Sequence, residues 1–332
     1  MSLIIFLTVI LTSLLYRLFM PNKVDPYDGF FARIIAHSKG YDHNHNDLIT
    51  FHLMYPRFIH SEMMTHKDFS RSAASSRAIP VRKMLSQVWN KPAMPIHWGK
   101  NQPGMQASHA FQGWKKTVLR NLWMMCGRTV CVFVWVAMKM GLHKQVANRM
   151  LEPWQLMHVT LTTCKLANFY NLRIHADAQP EIRQLATLMR LAHNASEPKI
   201  LRAGEWHLPW ITEEDIDDVA NMVGTNEEQT ELLKKMSAAR CARSSYANFD
   251  GKRSIDGDLA TYSKLVDSEP VHASPCEHQA TPDQQITAVV TSENTTTMER
   301  RWKNPSLHGN LTGYIQYRNT IAGHYFPDPT KT

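Results

Sequence analysis

The segment from Ala110 to Met140 constrains the architecture more than any other. It reads as one long helix, and its centre, "VCVFVWVAM", is apolar on every side. A helix of that kind must be covered by protein or by lipid. The apolar centre is too short to cross a bilayer, which needs about 20 residues. It is therefore expected to be a core helix. A chain of 332 residues is long enough to supply such a core, as one large domain or two ordinary ones.

The formal net charge is +8, which favours anionic partners such as nucleotides or a membrane surface. No zinc-finger or other nucleic-acid signature is present, so nucleic acid is not an expected partner. The five cysteines, Cys126, Cys131, Cys164, Cys241 and Cys276, are odd in number, and no two are spaced as CxxC. That argues against a disulfide framework and a structural zinc site, and for a reducing compartment.

The N-terminal run "SLIIFLTVILTSLLYRLF" stands apart. It lacks a basic leader and a clear cleavage site. It contacts a membrane through residues 3–20, docks as a hydrophobic helix, or reflects a mistaken start site. Arg17, Lys23 and Arg33 follow it, and this charge bias would leave the remaining chain in the cytoplasm. Residues 1–25 are set apart as a hydrophobic segment, and 26–325 are expected to form one domain.

Along that domain, "LITFHLMYPRF" (Leu48 to Phe58) reads as a strand ended by Pro56. Trp89 to Gln106 reads as a long ordered loop, of the kind usually tied to function. Leu142 to Leu151 and Val159 to Leu172 read as helices, the latter placing Cys164, Asn168 and Leu172 on one face. "AQPEIRQLATLMRLA", "TEEDIDDVANMV" and "NEEQTELLKKM" carry helix-start signals. Residues 248–258 and 280–310 read as polar loops, and "NLTGYIQYR" as a short strand.

Four stretches carry candidate chemistry. "THKDFSRSAASSR", Thr65 to Arg77, gathers four serines with Lys67, Arg71 and Arg77. Short hydroxyls beside guanidinium forks suit a phosphate or a pyrimidine ring, and they equally suit a solvated turn. "NFYNLRIHADAQPEIR" sets Arg173 before a new helix start, where it could meet an anion or pair with Asp177. "ANRMLEP" offers Arg149 as an anion ligand or as a solvent-facing arginine. "VHASPCEHQA" holds His272, Glu277 and His278, but Pro275 breaks regular ligand spacing, so no metal site is expected there. Glu277 is better suited to accept hydrogen bonds from a cofactor.

Together these stretches resemble the flavin-dependent thymidylate synthases. "THKDFSRSAASSR" fits the spacing of that family's R-H-R-x-x-S-x-N-E-x-S-x-R signature at His66, Ser70, Ser75 and Arg77. "NFYNLRIHADAQPEIR", "ARSSY" (Ala242 to Tyr246) and "HASPCEH" resemble further family motifs. "YPRFIHSEMMTH", "NQPGMQA" and "GLHKQVANRMLEP" resemble a viral branch. The likeness spans roughly residues 30–320. In common members the counterparts of 242–246 and 272–278 precede the signature, so the resemblance implies circular permutation.

The resemblance implies an α+β fold, an antiparallel sheet packed with long helices, assembled as a homotetramer with sites at subunit interfaces. It implies cytoplasmic (for a viral protein, host-cytoplasmic) methylation of dUMP at C5, with FAD as cofactor and NADPH and methylenetetrahydrofolate as co-substrates. It implies that Ser75, Ser76, Arg77, Arg149 and Arg173 hold dUMP, with Ser75, Arg77 and Arg173 catalytic. Glu62 stands where the common family has a pyrimidine-side glutamine. His66, Lys67, Asn168, Leu172, Ser245, Ser274 and Glu277 would contact FAD. Thr65, Lys67, Ser72, Ala73, Thr162, Cys164 and Asp177 depart from the family pattern. A sibling enzyme that hydroxymethylates a pyrimidine nucleotide and a non-catalytic nucleotide-binding homologue are the alternatives.

Overall fold

The computed structural model describes residues 24–42, 44–246, 254–292 and 295–325, with the side chains at 245–246 and 289–297 outside that description. The expected membrane contact at residues 3–20 also lies outside the described residues. A five-stranded sheet organises the rest. Its strands are β1 (Phe31–Gly40), β2 (Leu48–Pro56), β3 (Ser70–Ala73), β4 (Leu156–Thr163) and β5 (Lys199–Leu201). They lie in the order β3-β4-β2-β1-β5. Every pair is antiparallel except β1 with β5. Pro56 closes β2, as expected of a residue that cannot continue the ladder.

The two faces of this sheet differ in chemistry because strand side chains alternate. Ile49, Phe51, Leu53 and Tyr55 of β2 and Met157, Val159 and Leu161 of β4 point to one side, into the main core. Helices α5 (Ala167–Arg173) and α6 (Pro180–Asn194) cover them with Phe169, Ile182, Leu185 and Met189. Helix α6 starts where expected, with Pro180 in its first turn and Glu181 at the positive end of the dipole. The opposite face carries Thr50, His52, Thr160, Thr162, Ser70 and Ser72, all buried.

That polar face is covered by the 3-10 turns Arg243–Tyr246 and Ser274–Glu277 with Trp210, His207 and His278, and beyond them lie α7 (Glu213–Met222), α8 (Asn226–Ala242) and α9 (Ile255–Val266). Helix α7 begins with a capping box between Thr212 and Asp215. Arg240 of α8 sits between Asp215 and Asp258, and Arg243 also reaches Asp258. This buried ion cluster pins the three helices together. At the other end, short α1 (His60–Met64) leads into β3. Helix α2 (Val81–Asn90) packs on α3 (Gly113–Lys139), and α4 (Lys144–Ala147) and a 3-10 stretch (Asn148–Trp154) complete that side.

Four expectations need correction. Val159 to Leu172 is not a helix: "LMHVTLTT" alternates apolar and polar residues and is rich in β-branched types, so it forms β4, and only Ala167–Arg173 is helical. Cys164 therefore shares no helical face with Asn168 and Leu172. Leu142 to Leu151 is helical only at Lys144–Ala147 before tightening to 3-10 geometry. Within 248–258, Ser254 caps α9, which begins at Ile255, while 247–253 lie outside the described residues. Residues 280–310 contain β6 (Ala280–Pro282), β7 (Gln285–Ser292) and β8 (Thr295–Trp302). Their Thr and Val runs favour strands although the composition is polar. Strand β9 (Tyr314–Gln316) pairs with β6.

The long helix α3 buries one stripe, Met124, Gly127, Arg128, Cys131 and Val134, while Phe133, Trp135 and Val136 are exposed. The expected core helix is thus covered on one side only.

Candidate active site

One cleft borders the strand that carries the serine-rich stretch, and a second lies beside Glu62 and Arg173. The first, of about 860 Å³, is lined by Arg71, Arg77, Lys144, Arg243 and Lys264, with His143 and His272, and by the hydroxyls of Ser72, Ser75 and Ser274. Among the described residues no carboxylate lines it. Four sequence segments converge here: 65–77, the start of "GLHKQVANRMLEP", the Ala242 to Tyr246 stretch and "HASPCEH". Arg71 is anchored, donating to the carbonyls of Met63 and His66 at 2.6 and 2.9 Å. Lys144 donates to the Ala78 carbonyl at 3.1 Å. Arg77 and Ser274 are exposed to the cleft.

The second cleft, about 880 Å³, lies beneath the loop between α2 and α3 and is lined by Glu62, Arg173, Asp177, Glu181 and Arg183, among others. Gln106 and His97 of that loop also line it, so the expected ordered loop forms one wall. The Arg173 guanidinium is held from three sides. Its Nε donates to His66 Nε2 at 2.9 Å, Nη2 donates to Thr65 Oγ1 at 3.3 Å, and Nη1 lies 3.5 Å from Glu62 Oε2. Accepting at Nε2 requires His66 to be neutral there. Its pKa is indeed lowered, by burial first and then by the charges of Arg173 and Arg71. Its ring stacks on Phe69 and meets Phe169 edge-on. The Glu62 carboxyl is pushed up by burial, which outweighs the opposing charge of Arg173, while Glu181 adds to the rise.

The candidate residues therefore fall into separate groups within one chain. Ser75, Arg77 and Ser274 share the cationic cleft, and Glu62, His66 and Arg173 meet beside the other. Ser76 and Arg149 join neither. Ser76 donates to Glu152 at 3.3 Å, and Arg149 lies 3.9 Å from the same carboxylate, which also pairs with Arg57. Lys67, Asn168 and Leu172 are exposed. The Ser245 side chain lies outside the described residues. Glu277 accepts from the Arg318 guanidinium. Sequence reasoning did not single out Arg243, Lys144 or Lys264. The first two lie inside quoted motifs, whereas Lys264 on α9 carries no motif at all.

His278 does not stand with His272 and Glu277 as a metal ligand set. It is fully buried, with Nδ1 2.8 Å from Thr162 Oγ1 and Nε2 2.9 Å from Ser72 Oγ. Thr162 continues to Thr50 at 2.6 Å, Thr50 to His207 at 2.8 Å, and His207 to Ser38 at 2.8 Å. A row of hydrogen bonds thus crosses the polar face from β1 to β3 and ends at Ser72, in the wall of the cationic cleft. Burial pushes His207 and His278 down to about 3, so both are neutral links. Burial raises the Cys164 thiol to about 11 and the Cys276 thiol to about 12, which leaves them protonated.

No family model matches the chain, and no curated protein matches it. Among solved structures, it is similar to the UMP/dUMP methylase PolB from Streptomyces cacaoi bound with 5-Br UMP. That match has 14% identity and a TM-score of 0.43, over 53% of this chain and 92% of the other. It is also similar to thymidylate synthase X from Helicobacter pylori with FAD and dUMP. Here identity is 14% and the TM-score 0.32, over 44% of this chain and 67% of the other.

Proposed function

We propose that this chain is a flavin-dependent enzyme that modifies uracil nucleotides at C5, and specifically that it methylates dUMP. The observation that carries this reading is the cationic cleft. Four motif segments, widely separated in sequence, meet there to form a wall of five Lys and Arg side chains and three serines, with no acid among the described residues. Such a wall fits the phosphates of a nucleotide and the diphosphate of FAD. Bound FAD would supply the hydride, renewed from NADPH, with methylenetetrahydrofolate as the carbon source.

The chain's own residues bind and orient. Arg77, with Ser75 beside it, holds phosphate. Arg173, fixed by Thr65, His66 and Glu62, presents its charge to a pyrimidine carbonyl. Glu62, whose carboxyl burial pushes above its ordinary value, stands beside Arg173 where the family has a pyrimidine-side glutamine. His278 bonds to Ser72, so the later motif packs directly on the signature strand. The separation of Arg77 from Arg173 supports a site completed by a second copy of the chain, within a homotetramer.

The test is retention of FAD through gel filtration, followed by titration with dUMP. Arg77→Ala and Lys264→Ala should each weaken nucleotide or flavin binding by about tenfold or more, the effect of removing a charge-assisted hydrogen bond. Wild-type protein that retains no flavin and binds no dUMP would contradict the reading.

A further inference from the structure

A second constellation lies at the far end of the sheet, and none of its members lines either cleft. His37 on β1, Asp47 just before β2 and His193 in the last turn of α6 point ligand atoms at one another, all within 4.8 Å. His37 Nε2 and His193 Nε2 each lie 3.6 Å from the same carboxylate oxygen, Asp47 Oδ2. That is too long for hydrogen bonds, which close at about 2.7–3.2 Å. It is close to the edge of a tetrahedral site, about 3.4 Å when metal–ligand bonds are near 2.0–2.1 Å.

The other nitrogen of each ring is engaged elsewhere. His37 Nδ1 lies 3.0 Å from Ser196 Oγ, and His193 Nδ1 lies 3.4 Å from the Tyr170 hydroxyl. When these hydroxyls accept from Nδ1–H, both Nε2 atoms are lone-pair donors, the arrangement that outer partners give metal-bound imidazoles. The His37 side chain is 3% exposed, yet its Nε2 has no hydrogen-bond partner. A buried ring nitrogen left bare is costly and asks for a ligand. Lys39 pairs with the other oxygen, Asp47 Oδ1, at 3.1 Å, and so fixes the carboxylate while leaving Oδ2 turned inward. Asp47 and His193 are partly exposed, which gives an ion a way in.

We infer that His37, Asp47 and His193 form a binding site for a divalent transition metal ion of the zinc or cobalt type. Two imidazoles and one carboxylate suit such an ion rather than calcium or magnesium, which take oxygen ligands. The three ligands come from β1, the β1–β2 connection and α6, so the ion would tie the end of α6 to the sheet. No ligand-spacing pattern announces the site in the sequence, because its members belong to separate segments.

The test is equilibrium dialysis of the chelator-treated full chain against Zn2+, with Co2+ as a spectroscopic probe. The wild type should bind about one Zn2+ more tightly than the variants, show visible d–d absorption with Co2+, and melt at a higher temperature with metal. Asp47→Asn and His193→Gln change partly exposed groups and should keep the fold while weakening Zn2+ binding by at least tenfold. Circular dichroism of each variant checks the fold. No stoichiometric binding by the wild type, or equal affinity in folded variants, would overturn the assignment. Neither readout depends on flavin or nucleotide.

Discussion

Glu62 and Arg173 lie 3.5 Å apart, yet burial keeps the Glu62 pKa above its ordinary value rather than below it. A carboxyl of that kind is neutral at acid pH and charged once pH rises through its raised pKa. If neutral Glu62 holds the pyrimidine, dUMP affinity falls as pH rises through that value. Glu62→Gln should retain binding within a few-fold and lose this pH dependence, as read by dUMP titration at several pH values. A glutamine variant that binds at least tenfold more weakly, or keeps the slope, would remove Glu62 from the role. At this scale the sequence was informative where motif spacing carried chemistry: Ser75, Arg77 and Ser274 line one cleft together. It was silent on Lys264, whose place depends on how α9 packs. Thr162 stood out only as a departure from the family pattern, and its bond to His278 was not legible.

At the scale of elements, the sheet's polar face is built from neutral buried histidines. His207 and His278 are held near about 3, far below the ordinary 6.5. The unfolded chain therefore takes up protons that the folded chain refuses. Stability from these groups is full above about pH 6.5 and is lost as pH falls toward 3. At pH 5 each should cost about 2 kcal/mol relative to pH 7. The urea midpoint should drop accordingly, and an unchanged midpoint would show that the network tolerates charge. The alternation that builds this face is visible in "LMHVTLTT", but Ala167–Arg173 follows so closely that the whole stretch also passes for a helix. Helices α6, α7 and α8 were legible from Pro180, Thr212 and the acidic start of "NEEQTELLKKM", because helix starts are local chemistry; the cap of α8 is Thr225, one residue earlier. The β7–β8 hairpin was not, since its polar composition hides its strand propensity.

For the whole molecule, the division of Arg77 and Arg173 between two clefts is the main structural fact. If sites are shared between copies, mixing inactive Arg77→Ala with inactive Arg173→Ala under exchanging conditions should restore part of the activity. No recovery in mixed oligomers would place each site within one chain. The exposed stripe of α3, with Phe133 and Trp135, is a further surface that an oligomer would cover. Single-chain sequence reading expected that helix to be wholly interior, because apolar composition does not reveal whether the neighbour is the same chain or another.

The central claim is chemical, and one reaction tests it most directly. The full chain is incubated with dUMP, methylenetetrahydrofolate, FAD and NADPH, and the nucleotide product is identified by mass spectrometry. The account predicts dTMP, formed only when flavin is bound. Unchanged dUMP with no flavin retained by the protein would contradict it.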